Sequence, residues 1–485
     1  MSDLHHRRIE QLQHLERGLF RDLVTRPAVL GPRELDVLRY AFAMARLGEL
    51  RCDHGDVDLF DDVAPFRHWF VEQLEFFAAP RTDASRLVPR RRDQIDWQGI
   101  NAWLPTLETR VDEVRGAMLQ RRSNEFSAER LDDELCHRQL VLVLGGGGGS
   151  GYPHMGVFAL LSDLGLMPGM IVGSSMGALL GLFRSISFDY DPMATAMGLP
   201  RPREFRRVFS PYRGYSRFGF PGVFELKMRP VATEIFTTLL GRSIPTLSEL
   251  PIPFRPVVTG LRSGIGLALT EVERDISRSE RAVSPLRFGR RFGLFARTIQ
   301  IMLQNPRFLA EVVFGSDEGL EHIDAVDAVG FSCAVPGFIH YDIFRSDAEA
   351  APILRKLCQD RGFFRITDGG VVANVPARIA WNCVQKGEIT SRNAFIMSFD
   401  AFSPQANLNA PFIPVQQLIR TGVLEHRRYS NLHITYRNPP SPVKLLHSFD
   451  ALQHVIADTR SQLAPHSAYI ALMTRRIPRW NQLRT

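Results

Sequence analysis

Apolar and polar positions follow two regimes along the chain. In residues 1–137 the apolar positions recur at three- and four-residue spacing. From Arg33 to Leu50, after Pro32, the residues Leu35, Leu38, Phe42 and Ala45 share one face, which predicts a helix. The aromatic-rich run Phe66–Phe77 predicts another packed segment, and the whole region reads as mainly helical. From residue 139 the pattern changes. Leu140–Leu144 is a short, continuous apolar run, too short for a globular helix and suited to a buried strand. Five glycines follow, Gly145–Gly149, then Ser150 and Gly151. Met155, Phe158, Ala159, Leu161 and Leu164 lie at helical spacing, with Gly165 as a C-cap. A second strand, Met170–Val172, meets Gly173-Ser-Ser-Met-Gly177 and a further apolar helix. The order is strand, glycine loop, helix, strand, sharp turn, helix.

Later elements continue in the same style. Phe363–Thr367 and Ala394–Phe399 read as core strands, Pro376–Lys386 and Asp450–Gln462 as helices. The uncharged run Leu164–Phe183 has Gly173, Gly177 and Gly181 at GxxxG spacing, the pattern of a membrane helix. Pro168-Gly169 and the paired serines break it, so it is assigned to buried core. From Arg281 to Ala310 there are six arginines (281, 287, 290, 291, 297, 307) and no acidic residue. Within it Phe288, Phe292, Phe295, Ile299 and Met302 form an apolar stripe. Two readings stay open: a basic amphipathic helix on an anionic membrane, or a helix packed on the main domain with a solvated basic face.

The pentapeptide Gly173–Gly177 fits Gly-x-Ser-x-Gly, the nucleophile elbow. On such a turn Ser175 occupies a strained backbone position at a helix N-terminus, where amides and the helix dipole favour developing negative charge. The glycine loop admits three readings. A Walker phosphate cradle needs Gly-Lys-Ser/Thr, and the lysine is missing. A dinucleotide fingerprint needs an acidic residue after the second strand, which here runs into Gly-Ser-Ser. An oxyanion hole needs only unobstructed backbone amides, and an elbow one helix later makes this the preferred reading.

These residues resemble the patatin-like phospholipases, whose first block is Gly-Gly-Gly-x-Arg/Lys-Gly followed by Gly-x-Ser-x-Gly. The block falls on Gly146, Gly147, Gly148 and Gly151, with Ser175 as nucleophile; the family's basic residue falls on Ser150, a departure that bears on activity or ligand preference. Asp368-Gly369-Gly370, with Asn374 and Pro376 downstream, resembles the family's Asp-Gly-Gly/Ala block. Phe331-Ser-Cys-Ala-Val-Pro-Gly-Phe338 resembles the segment that lies between the two. The resemblance implies an α/β, three-layer fold: a mostly parallel sheet between helices, active site at the strand C-terminal ends. It also implies a lipid acyl hydrolase of phospholipase A or lysophospholipase type using a Ser175–Asp368 dyad. Gly146, Gly147 and Gly148 would form the oxyanion hole, supported by Gly151, Gly173, Gly177, Gly369 and Gly370. No cofactor or metal is expected. Triacylglycerol lipase and acyl transferase chemistry on the same dyad remain open, as does a non-catalytic lipid-binding protein. A Ser-Asp-His triad is also open, since His426, His433 and His447 follow Asp368. His154, beside the loop, is assigned to its support.

The expected organisation is a helical N-terminal region (1–137), a catalytic domain (138–402) with an insertion at about 189–321, and a C-terminal extension (403–485) packing on that domain. The 485 residues carry 59 basic and 52 acidic side chains, a net charge of +7 that favours anionic surfaces without requiring nucleic acid. The expected partners are a lipid substrate, as the resemblance implies, and, on the membrane reading of 281–310, an anionic membrane, with no nucleic acid; the oligomeric state is open. Five scattered cysteines (52, 136, 333, 358, 383) with no Cys-x-x-Cys suit a reducing compartment. The first twenty residues lack the apolar core of a secretory signal, so a cytoplasmic, peripherally membrane-associated protein is expected. The aspartates 53, 56, 58, 61 and 62 fail the EF-hand pattern and read as a solvated turn.

Overall fold

The computed structural model describes residues 3–78, 95–239, 241, 243–279, 288–345, 349–404 and 413–484. The chain divides into two compact units. One comprises Met1–Gln139, Val384–Phe395 and His466–Thr485; the other comprises Leu140–Cys383 and Ile396–Pro465. The last segment of the chain, expected as part of an extension on the catalytic domain, thus groups with the N-terminal helices.

The first unit is built on helices α1 (Asp3–Thr25), α2 (Pro32–Arg46), α3 (Phe60–Ala78), α4 (Trp97–Arg121) and α5 (Ala128–Cys136), with a hairpin of β1 (Glu49–Cys52) and β2 (Gly55–Asp58). Pro32 starts α2, as its fixed φ favours a first helical position. That helix stops before the Leu50 expected from the spacing, because Leu47 leaves helical geometry and the chain enters β1. The apolar stripe of α2 meets aromatic neighbours: Phe42 stands edge-on to Phe20 at 5.4 Å and to Phe70 at 5.0 Å. Glu16 is buried between the guanidinium groups of Arg46 and Arg138, which hold its carboxyl below the usual range against the cost of burial. The acidic cluster falls on the hairpin and the start of α3. Asp56 pairs with Arg392 at 2.6 Å and Asp62 with Arg122 at 3.2 Å, so these carboxylates are engaged by arginines.

The second unit is a mixed α/β layer structure around a mainly parallel sheet flanked by helices. In chain order its strands are β3 (Gln139–Leu144), β4 (Met170–Ser174), β5 (Phe209–Pro211), β6 (Phe224–Leu226), β7 (Phe254–Arg262), β8 (Leu309–Val313), β9 (Ile339–His340), β10 (Phe363–Asp368), β11 (Ala394–Asp400) and β12 (Leu432–Thr435). The main sheet runs β10-β7-β4-β3-β11-β12, with β8 also on β7; β5, β6 and β9 form a small separate sheet. Strands β3, β4 and the start of β7 are parallel, and β3 and β4 are buried almost throughout, which accounts for their unbroken apolar sequences. Helices α6 (His154–Asp163) and α7 (Met176–Ser185) follow β3 and β4. The run Leu164–Phe183 is therefore a turn, a strand, an elbow and most of a helix. Among the described residues no helix is long and apolar enough to cross a membrane.

Strands β7 and β8 of the main sheet were not foreseen. Residues 189–321, expected as an insertion, supply β7 and β8 to the main sheet. Strand β4 pairs in parallel with Phe254–Val257 of β7, Ser174 opposite Val257; β10 pairs antiparallel with the rest, Asp368 opposite Val258. The C-terminal ends of β4 and β10 thereby converge on adjacent residues of β7.

The helix Phe288–Gln304 carries part of the basic stripe. Residues 281–287, and the side chains of Phe288 and Phe292, lie outside the described set. Further along, the apolar face turns inward: Ile299 and Met302 are buried in a core with Leu261, Ile265 and Leu269, and Phe295 packs against it. This face is used by the fold, as in the packed-helix reading; Arg297 on the same helix pairs with Glu271 at 3.2 Å.

Candidate active site

Ser175 sits between β4 and α7 with φ 52° and ψ −124°, a left-handed conformation unusual for a residue with a side chain. The flanking glycines are required by close approach. A Cβ on Gly173 would stand 2.7 Å from the Ala178 nitrogen, and one on Gly177 would run into the Leu144 carbonyl and stand 2.8 Å from that of Gly145. The turn is locked by the block that precedes β9. The Ser175 N–H donates to Ser332 Oγ at 3.0 Å, the Ser332 hydroxyl donates to the Val257 carbonyl at 2.6 Å, and the Cys333 thiol donates to the Ser175 carbonyl at 3.2 Å.

The same block fixes Asp368. Its N–H donates to the Ala334 carbonyl at 2.9 Å, and its carbonyl accepts from the Thr259 hydroxyl at 2.7 Å. The carboxyl is 5% exposed. Oδ1 accepts the Gly370 N–H at 2.7 Å, while Oδ2 is buried without a hydrogen bond of normal geometry. Burial pushes the carboxyl up to about 7, against the opposing pull of the Ser175 hydroxyl, which lies close enough to act on it, and of the Gly370 N–H. Gly369 is needed here because a Cβ would strike the Val257 carbonyl.

The glycine loop separates into distinct roles. Gly145 donates its N–H to the Phe399 carbonyl at 3.0 Å. Gly146, expected as an oxyanion donor, spends its N–H on the Asn374 carbonyl at 3.1 Å; its lack of a side chain instead lets the loop pass 2.9 Å from Ser175 Cβ, measured from where a Cβ would stand. Gly147 and Gly148 have φ of 158° and 56°, line the same cavity as Ser175, and their N–H groups meet no acceptor among the described residues. Ser150, at the position of the family's basic residue, is buried and donates its hydroxyl to the Gly147 carbonyl at 2.7 Å, closing the loop. Gly151 faces α7, where a Cβ would stand 2.6 Å from Met176 Cγ.

His154 holds this loop from below. Its Nε2 donates to the Gly145 carbonyl at 2.8 Å when Nδ1 accepts the Tyr436 hydroxyl, also at 2.8 Å, and burial lowers its pKa to about 4. It is a neutral strut. His433 bonds Ser398 at 2.8 Å, and burial lowers both His426 and His447 to about 4. None of these three lines the cavity that contains Ser175 and Asp368.

That cavity has a volume of about 240 Å³ and a wall made mainly of aliphatic and aromatic side chains, including Leu179, Phe209, Phe224, Phe295, Ile299 and Phe338. Sequence reasoning gave no role to Ser332, although it quoted the block containing it, and it missed β7 entirely. A long β-branched run, Val257-Val258-Thr259, was the signal available for the strand. Among the described residues no group of His, Cys, Asp and Glu could hold a metal ion.

The fold is α/β, with an elbow serine and a buried aspartate, joined through one strand beneath a glycine loop, lining an apolar cavity. Residues 142–381 match the family described as patatin-like phospholipase, and the chain carries a domain of that family. It is 41% identical over 82 residues to the lysophospholipase nte1 of Aspergillus fumigatus, a match covering 16% of this chain and 5% of that protein. The corresponding protein of Emericella nidulans is 41% identical over 64 residues (13% and 4%), and that of Cryptococcus neoformans 36% over 81 residues (16% and 5%). The matched stretches span about a twentieth of these relatives' length.

Proposed function

We propose that the protein is a lipid acyl hydrolase, acting on carboxylic esters of phospholipids or lysophospholipids, with Ser175 as nucleophile and Asp368 as its base. The observation that carries this reading is the meeting of Ser175 with a proton-seeking, buried Asp368 in an apolar cavity that no histidine lines among the described residues. The family match and the relatives' names support the substrate class.

In this scheme Asp368 takes the hydroxyl proton as Ser175 Oγ attacks the ester carbonyl. A free aspartate is a weak base, near pKa 3.9. Burial raises its proton affinity toward the range useful at neutral pH. The N–H groups of Gly147 and Gly148 hold the tetrahedral oxyanion, a contribution of roughly 3 kcal/mol per donor in other enzymes. Asp368 returns the proton to the departing alcohol, leaving an acyl-enzyme. Water then attacks it, Asp368 accepts a proton from that water, and the fatty acid leaves as Ser175 regains its hydrogen. The apolar wall suits an acyl chain.

The test is reaction with a fluorophosphonate probe followed by mapping of the modified residue, then release of fatty acid from phosphatidylcholine and lysophosphatidylcholine. Labelling at Ser175 that is absent in Ser175→Ala, with matching hydrolysis, is expected. No labelling in the presence of detergent or vesicles would overturn the reading in favour of a non-catalytic lipid binder.

A further inference from the structure

We infer that Met197–Arg217, together with Val443 and Lys444, is the face by which this protein docks on an anionic lipid bilayer, an inference that rests on the lipid-hydrolase reading above. Three observations converge on this stretch.

A chain of aromatic rings leads from solvent into the catalytic cavity. Phe205 is 39% exposed, and its ring lies 5.0 Å from Phe209 and 5.8 Å from Phe224. Phe224 lies 5.8 Å from Phe338, and Phe338 lies 6.3 Å from Phe295. All four inner rings line the cavity with Ser175, as do Leu199 and Pro200 of the same stretch. A lipid tail moving along this path stays in contact with apolar surface throughout.

Large apolar side chains of this stretch and of the cavity wall are also left in water. Met197 is 59% exposed, and Val443, which lines the cavity, is 40% exposed. Side chains of this kind gain free energy when moved into the headgroup–acyl boundary.

Finally, these apolar groups are accompanied by positive charge. Residues 201–217 contain six arginines and one glutamate. Arg207 is paired with Glu204 at 3.0 Å and with Glu234, and Arg201 donates to the Ala196 and Met197 carbonyls at 3.2 and 2.9 Å. Arg203, Arg206 and Arg213 are exposed and make no ion pair among the described residues; Lys444 is exposed beside Val443. Guanidinium groups next to inserted aromatic and aliphatic side chains match a surface of anionic phosphates over hydrocarbon. A nucleic acid or an acidic peptide would satisfy the charges but would leave Met197, Phe205 and Val443 in water.

The experiment uses the full-length Ser175→Ala protein, so that binding is read without turnover. It is co-sedimented with vesicles of phosphatidylcholine alone and of equimolar phosphatidylcholine and phosphatidylglycerol. Preferential binding to the anionic vesicles, weakened by salt, is expected. The triple change Arg203→Glu, Arg206→Glu, Arg213→Glu is expected to weaken it on the order of a hundredfold, at about fivefold or more per arginine. Phe205→Ala with Met197→Ala is expected to weaken binding at fixed salt, with an unchanged thermal transition as the control for folding. Equal binding of parent and charge variants, equal binding to neutral vesicles, or heparin binding that the Phe205 and Met197 changes do not affect would overturn the inference. A protein that binds anionic vesicles through these residues but never labels at Ser175 would overturn the hydrolase reading and leave the surface standing.

Discussion

Ser332 Oγ accepts the N–H of Ser175 at 3.0 Å while its own hydrogen goes to the Val257 carbonyl at 2.6 Å. One buried hydroxyl thus ties the elbow to the strand on which β10 also registers. Ser332→Ala leaves the Ser175 N–H and the Val257 carbonyl unpaired, at a cost of about 1–3 kcal/mol. Thermal unfolding should register that loss. Fluorophosphonate labelling should slow about tenfold or more, because the backbone of Ser175 is no longer pinned. Ser332→Thr keeps the hydroxyl and should recover part of the rate.

Asp368 is raised from 3.8 to about 7 by burial, and both catalysis and stability should report it. In the proposed role of base it must be ionised, so kcat/KM should rise with pH and level off above about 7. Stability should move the other way. Between the unfolded and folded pKa values the folded protein holds a proton that the unfolded chain has released, so stability falls as pH rises through that window. Asp368→Asn removes the cost of a buried carboxylate while keeping an oxygen for the Gly370 N–H. At pH above the folded value it should raise the melting temperature, by up to roughly 4 kcal/mol of stability, while abolishing turnover. A variant that is both inactive and less stable at high pH would contradict this account.

His154 should matter through its hydrogen bonds and not through its charge. His154→Ala removes the donor to the Gly145 carbonyl and opens space under the loop, and a fall in kcat of about 10- to 100-fold is expected. Because the imidazole stays neutral above about 4, the pH profile between 5 and 8 should keep the shape set by Asp368. A new inflection or a lost limb in the variant would show that the ring titrates during turnover.

Gly177→Ala adds a Cβ that collides with the Leu144 carbonyl, a backbone atom of the central sheet that cannot swing aside. Overpacking of this kind costs about 1–3 kcal/mol, and strand displacement would add to it. Denaturant unfolding should give the loss in stability, and labelling of Ser175 should fall even in protein that remains folded. Gly165→Ala is the contrasting control: its φ is 63° but nothing lies within reach of the new atom, so only backbone strain of about 1 kcal/mol is expected.

The sequence by itself determined the local parts of this site. Apolar runs bounded by glycine marked β3 and β4, helical spacing marked α6, and Gly-x-Ser-x-Gly marked an elbow, because each depends on neighbours in the chain. Asp368 was marked only through the resemblance of Asp368-Gly369-Gly370 to a family block. What the tertiary structure decided was everything that depends on residues distant in sequence. Strand β7 had only the short run Val257-Val258-Thr259 to mark it, and its registers, Ser174–Val257 and Asp368–Val258, join residues 80 to 110 positions apart, which nothing local specifies. The fate of each loop amide was equally invisible. Gly146 and Gly147 look alike in the chain, yet the N–H of one meets the Asn374 carbonyl, while that of the other, in the cavity wall, meets no acceptor among the described residues. The apolar stripe at Phe295, Ile299 and Met302 suited a membrane and a protein core equally well, since both reward burial of the same side chains; that Ile299 and Met302 are buried with Leu261, Ile265 and Leu269 is visible only in the elements folded around them.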